Sequence, residues 1–248
     1  MKVKSLAPLI IVALLFGFTS GNFKKEQLKS PNVRTAYKEK WELVKEKLLK
    51  AKVDTSHFEI FIRVFKQEAK LEVWAKSANK AQFNLVETYA ICQSSGVLGP
   101  KRKQGDGQVP EGFYQVGSFN PQSEFYLALG VNYPNKSDKI KGNQSDPGGD
   151  IMIHGNCVTI GCMPLTDDKI KEVYIMAVEA RDNGQQIIPI HIFPTKLDAQ
   201  GMAHLKSITT DASKIAFWAN IQQGYAYFET NKTVPAISID KNGDYKLN

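Results

Sequence analysis

The chain has 248 residues, 42% of them hydrophobic and 23% charged. That ordinary balance excludes a collagenous, low-complexity or largely disordered polymer and leaves room for one large domain or two small ones. Lys and Arg number 32 against 25 Asp and Glu, a formal charge of +7. This is a mild excess with no dense basic run interleaved with aromatics, so a nucleic-acid partner is not expected.

Lys2 and Lys4 precede an apolar run from Leu6 to Phe18, and Thr19, Ser20 and Gly21 follow it. A basic head, a short apolar stretch and a small-residue end describe a secretory signal peptide over residues 1–21. The run falls short of the roughly 20 residues that span a bilayer. An uncleaved N-terminal anchor is the alternative. No other segment could cross a membrane, so no stable span is expected after processing. The processed chain is expected in the periplasm or cell envelope.

Residues 22–57 read as an N-terminal helical segment. Tyr37, Trp41, Val44 and Leu48 recur at helical spacing, Ser30-Pro31 fits an N-cap with a first-turn proline, and the Lys/Glu-rich face reads as solvated. The period then drops to two. Phe58, Ile60, Ile62 and Val64 alternate with mostly polar partners, as do Leu71, Val73 and Ala75, and the turn between them predicts a β-hairpin. Further strands are expected at Phe83–Cys92, Phe113–Phe119, Phe125–Leu129, Ile151–His154 and Ile187–Phe193. One helix interrupts them, with Thr166 as N-cap, Asp167 and Asp168 in its first turn, Ile170, Val173, Tyr174 and Ala177 on its apolar stripe, and Asn183-Gly184 as its stop. Two long Gly/Pro-rich loops, Gln93–Gly112 and Val131–Asp150, are candidates for function. A helix near Asp211–Phe228 and a hairpin turning at Asn242-Gly243 complete the chain. The fold class expected is α+β, a mostly β domain with flanking helices.

Chemistry concentrates in Ile151–Pro164, where an apolar strand runs into His154 and a turn leads to Gly161-Cys162 just ahead of a helix. A thiol attacks as its thiolate, and an imidazole can take that proton and later return it to a leaving amine. Gly161 permits a sharp turn that exposes Cys162 and frees backbone N–H groups for a carbonyl oxygen. Thr159 could orient the imidazole or hydrogen-bond the turn. Three other readings stay open. His154, Cys157 and Cys162 could hold zinc with His191; Cys157 could pair with Cys162 or with Cys92; or His154 could simply end a buried strand. Three cysteines leave at least one unpaired within the chain. Cys92 reads as an inert buried thiol and His191 as a satisfied structural residue.

The stretch His154-Gly155 through Thr159-Ile160-Gly161-Cys162 resembles the signature of YkuD-type L,D-transpeptidases, and is most similar to their YafK-like branch. That branch also has segments resembling Ile91-Cys92 to Ser95-Gly96, Leu98-Gly99-Pro100-Lys101, Pro110-Glu111-Gly112-Phe113-Tyr114 and His191-Ile192-Phe193-Pro194. The likeness covers Phe58 to Phe193. It implies a catalytic domain over residues 58–194, followed by a C-terminal helix-and-hairpin extension over 195–248. It also implies an exported enzyme acting on peptidoglycan stem peptides, with no metal and no cofactor. Cys162 would attack the peptide bond after the diamino-acid residue, with His154 as acid and base and the Gly161 and Cys162 N–H groups as oxyanion donors. An amine resolving the acyl-enzyme gives a transpeptidase. Water gives a carboxypeptidase, or an amidase releasing something attached to that residue, such as a cell-wall-linked protein. A non-catalytic wall-binding module is the reading from another class. Where many members of the family carry Arg two positions after the Cys, this chain has Pro164. Lys101, Arg102 and Lys103 are the candidates to bind substrate carboxylate in its place.

Overall fold

The computed structural model describes residues 22–248, so the expected signal peptide lies outside the described residues. The elements run α1 (Phe23–Gln27), α2 (Pro31–Lys50), β1 (Phe58–Phe65), β2 (Lys70–Ser77), β3 (Asn84–Ala90), β4 (Gly112–Ser123), β5 (Tyr126–Val131), α3 (Lys136–Lys141), β6 (Met152–His154), β7 (Met163–Pro164), α4 (Asp167–Asp182), β8 (Pro189–Phe193), α5 (Ala199–Ser207), α6 (Ala212–Asn231), β9 (Ile237–Ile239) and β10 (Tyr245–Leu247). Eight strands form one mixed sheet in the order β3-β2-β1-β8-β4-β5-β6-β7; β9 and β10 pair separately. The expected first hairpin is β1–β2, antiparallel from Phe58↔Ser77 to Phe65↔Lys70. The α+β, mostly β fold class holds.

Successive residues of β1 point to opposite faces, and both faces are buried. Phe58, Ile60, Ile62 and Val64 join the apolar stripes of α2 and α4 in one cluster. Phe61 packs with Phe83 and Phe228, and Phe65 with Phe193, Trp218 and Tyr225. The alternate positions of β1 were expected to be mostly polar, yet Phe61, Arg63 and Phe65 are buried because α6 covers that face. Arg63, 2% exposed, is tolerated there by an ion pair to Glu229 at 2.8 Å and by the rings of Phe65, Tyr225 and Phe228 about its guanidinium.

The Lys/Glu face of α2 is not fully solvated. Lys47 reaches Glu172 of α4 at 2.5 Å and Glu87 of β3 at 2.8 Å, and Lys40 pairs with Asp168. Those contacts lock the N-terminal segment onto α4. Ser30 and Thr166 occupy N-cap positions without a side-chain cap bond; the Ser30 hydroxyl instead donates to Pro121 O at 2.8 Å. The second long loop contains α3, which sequence reading missed. Its start is fixed by reciprocal bonds between Asn135 and Asp138. Helix α5 was also missed, its pattern being too short to register.

Candidate functional site

The sheet ends in two very short strands, and these create the site. Parallel pairing sets Ile153 opposite Met163 and His154 opposite Pro164. His154 ends β6 and Cys162 directly precedes β7, so the two come from neighbouring segments at the same end of the sheet. Asp150 and Asn156, at φ +54° and +52°, bracket β6 in the left-handed region that Asp and Asn tolerate best among non-glycine residues.

His154 is 1% exposed and its ring packs on Phe125, with centroids 4.6 Å apart. Its Nδ1 lies 2.5 Å from the Gly155 carbonyl oxygen. A carbonyl only accepts, so Nδ1 carries the proton and Nε2 keeps its lone pair for a base. Burial lowers the imidazole pKa, with the Gly155 carbonyl opposing. Glycine is required at 155, because a Cβ there would sit 2.6 Å from Asp167 Oδ1 and 2.8 Å from Phe125 O. That same carboxylate accepts the Asn156 N–H at 2.8 Å and ties the turn after His154 to the start of α4.

Cys162 is the free cysteine. Its thiol donates to Asp150 O at 3.5 Å, and among the described residues no hydrogen bond joins it to His154. Burial pushes the thiol pKa up; Asp150 adds to this, while Met152 and the Lys101 charge oppose it. Thr159 hydrogen-bonds the turn rather than the imidazole. Its hydroxyl accepts the Cys162 N–H at 2.8 Å and donates to the Cys162 carbonyl at 2.8 Å. Gly161 has φ +101°, and a Cβ there would approach Gln108 O to 3.0 Å. Its N–H donates to Ser95 Oγ at 2.7 Å. Both N–H groups expected to face a carbonyl oxygen thus already bond to side-chain hydroxyls. Ser95 had drawn no notice of its own in sequence, because a loop serine carries no periodic signal.

Cys92 is not an inert thiol. It is joined to Cys157 by a disulfide across 65 residues. The bridge takes Cys157 out of any zinc set and clamps the turn between His154 and Cys162 to the chain leaving β3. The Cys92 N–H adds a bond to Pro164 O at 3.0 Å. Beyond Cys92, residues 93–98 wall a cavity of about 200 Å³ that Val64, Lys66, Val109, Met163 and Cys162 also line.

The first long loop is held from inside. Glu111, fully buried, accepts from Lys66 Nζ at 2.9 Å, from the Gly99 N–H at 2.7 Å and from Trp218 Nε1 at 2.8 Å. Lys101 is also buried, and its ammonium is spent on Asp106 Oδ1 at 2.7 Å and Lys103 O at 2.9 Å. Burial alone would raise the Asp106 carboxyl; the Lys101 ammonium and the N–H groups of Arg102, Lys103 and Gln108 outweigh it and hold the group below the usual carboxylate range. Arg102 leans on the Phe217 ring and lies 3.6 Å from Asp138. Of the three basic candidates only Lys103 is exposed and, among the described residues, without an ion pair. His191 lies on β8 amid Phe61, Phe113 and Phe193, with Nδ1 unbonded, so it is structural but not satisfied.

A family model described as the L,D-transpeptidase catalytic domain (YkuD) matches residues 59–192. The chain is 36% identical over 189 residues to proteins named "Putative L,D-transpeptidase YafK" in Escherichia coli K12 and O157:H7; the match covers 75% of this chain and 72% of theirs. Among solved structures, the helical cell shape determining protein Pgp2 of Campylobacter jejuni aligns at TM-score 0.44 and 17% identity, over 79% of this chain and 80% of that one. Bd1075 of Bdellovibrio bacteriovorus aligns at TM-score 0.38 and 25% identity, over 55% and 48%.

Proposed function

The chain belongs to the YkuD L,D-transpeptidase family, and from that premise we propose that it is an exported cysteine acyltransferase acting on peptidoglycan stem peptides. The observation that supports this reading is one free thiol lining a cavity just ahead of β7, with an imidazole of defined tautomer at the end of the neighbouring β6. In the proposed reaction His154 Nε2 takes the Cys162 proton. The sulfur attacks the carbonyl carbon of the bond after the diamino-acid residue, and the carbonyl π pair moves onto oxygen. Collapse expels the terminal D-amino acid, whose amine receives the proton from His154, and leaves a thioester on Cys162. An acceptor amine then breaks that thioester and restores the thiol. Export is supported by the leader-like pattern of residues 1–21 and by the Cys92–Cys157 bridge, which persists in oxidising compartments.

The test is mass spectrometry of the processed protein incubated with a disaccharide-tetrapeptide, beside Cys162→Ala and His154→Ala. A product lacking the terminal D-amino acid and joined to a second stem is expected from the wild type. Both variants should lose at least about 10³-fold in rate. Loss of the D-amino acid without joining would replace the transpeptidase with a hydrolase. Turnover by pure Cys162→Ala would overturn the nucleophile.

A further inference from the structure

The two hydroxyls beside Cys162 are not equivalent. Thr159 Oγ1 accepts one bond and donates another, both to the Cys162 backbone, so its single proton is used. Ser95 Oγ accepts the Gly161 N–H at 2.7 Å, and its own proton has no acceptor among the described residues. Ser95 also lines the cavity that Cys162 lines. A hydroxyl that accepts from a backbone N–H is polarised and becomes a better donor at its free proton.

We propose that the Ser95 hydroxyl is a catalytic oxyanion donor, relaying the Gly161 N–H to the substrate oxygen across the cavity. The proposal rests on Cys162 being the nucleophile but not on the identity of the substrate. When sulfur adds to the carbonyl carbon, the new S–C bond forms as the π pair moves onto oxygen. Ser95 donates a hydrogen bond to that oxyanion and keeps its proton. On collapse the pair returns to carbon, the leaving group departs and the thioester remains. The loop position of Ser95 matters as much as its chemistry. The segment at 93–98 leaves the Cys92–Cys157 bridge, and Val97 N–H is anchored on Gln108 Oε1 at 3.0 Å, so the hydroxyl is held on both sides.

Acylation passes through an oxyanion, whereas alkylation by iodoacetamide displaces iodide with none. The experiment compares both rates at Cys162 in the full chain, using the p-nitrophenolate burst from p-nitrophenyl acetate for the first. Ser95→Ala should slow acylation about 10²-fold, the usual effect of deleting one such donor, and leave alkylation within about twofold. Ser95→Thr, which keeps the hydroxyl, should recover most of the acylation rate, and thermal unfolding of each variant checks the fold. Unchanged acylation in Ser95→Ala would overturn the proposal. Faster acylation would also overturn it, since Ser95 would then be a stopper on the Gly161 N–H. An equal fall in both rates would assign the effect to thiol ionisation and overturn it as well. A wild type that acylates normally yet leaves the disaccharide-tetrapeptide intact would sink the peptidoglycan reading alone.

Discussion

At Cys162 and His154, burial acts on both partners in the direction of neutrality: it raises the thiol and lowers the imidazole. The resting pair is therefore SH and neutral imidazole, not a preformed thiolate–imidazolium. In the proposed reaction the thiolate would form only as the proton moves to His154. Alkylation of Cys162 should rise with pH along a curve whose midpoint lies above that of a free cysteine, about 8.5. Fast, flat alkylation down to pH 6 would show a standing ion pair instead. The Lys101 charge opposes the upward shift, so Lys101→Met should move the midpoint higher still. The proposed role of His154 as base predicts that the acid limb of turnover falls below the ordinary imidazole value of about 6.5, because burial lowers that imidazole.

At the scale of elements, the site is made by segments too short to stand alone. β6 has three residues and β7 two, and neither would persist without β5 on one side and the bridged turn on the other. The Cys92–Cys157 bond closes a loop of 65 residues and fixes the turn that carries Thr159 and Gly161. Replacing both cysteines by serine avoids leaving a stray thiol near Cys162, and should lower unfolding stability by about 2–4 kcal/mol. Denaturant titration reads that loss; a change under about 0.5 kcal/mol would show that the pairing does not constrain the chain. Sequence revealed α2, β1–β2, α4 and α6, and its shorter apolar runs also marked β3, β4, β5, β6, β8 and the terminal hairpin. Helix α5, the ion pairs of α2 and the Lys101–Asp106 bond escaped it, because each depends on what folds against the segment rather than on its own pattern. Thr159 and Gly161 were visible as residue types next to Cys162, but which groups would occupy their hydrogen bonds was not.

Across the whole molecule, the central strands β1 and β8 are buried on both faces, and the cost is buried polar groups. His191 is held neutral by burial and by the nearby Arg63 charge, which together take its pKa down to about 3. The unfolded chain binds a proton there near pH 6.5 and the folded chain does not, so this residue's stabilising contribution is present above pH 6.5 and is lost as pH falls toward 3. Between pH 7 and pH 5 the loss should be about 2 kcal/mol. Asp138 works in the opposite sense, because burial raises its carboxyl to about 6 and the folded state takes up that proton first. Urea unfolding of His191→Leu against wild type at both pH values isolates the histidine. The variant should lose less stability on acidification, and parallel losses would refute the assignment.

By itself the sequence determined the alternation of strands, the apolar faces of α2 and α4, and the short interval between His154 and Cys162. These are local properties, set by side-chain period and chain connectivity. Tertiary structure decided the rest: that β1 is buried on both faces, that Cys92 finds Cys157 rather than staying an inert thiol, and that Lys101 is consumed by Asp106. It also brought Ser95 from a distant loop onto Gly161. Each of these pairings joins groups that come together only after the chain has closed its loops, and the burial that then shifts their ionisation is a property of the closed fold.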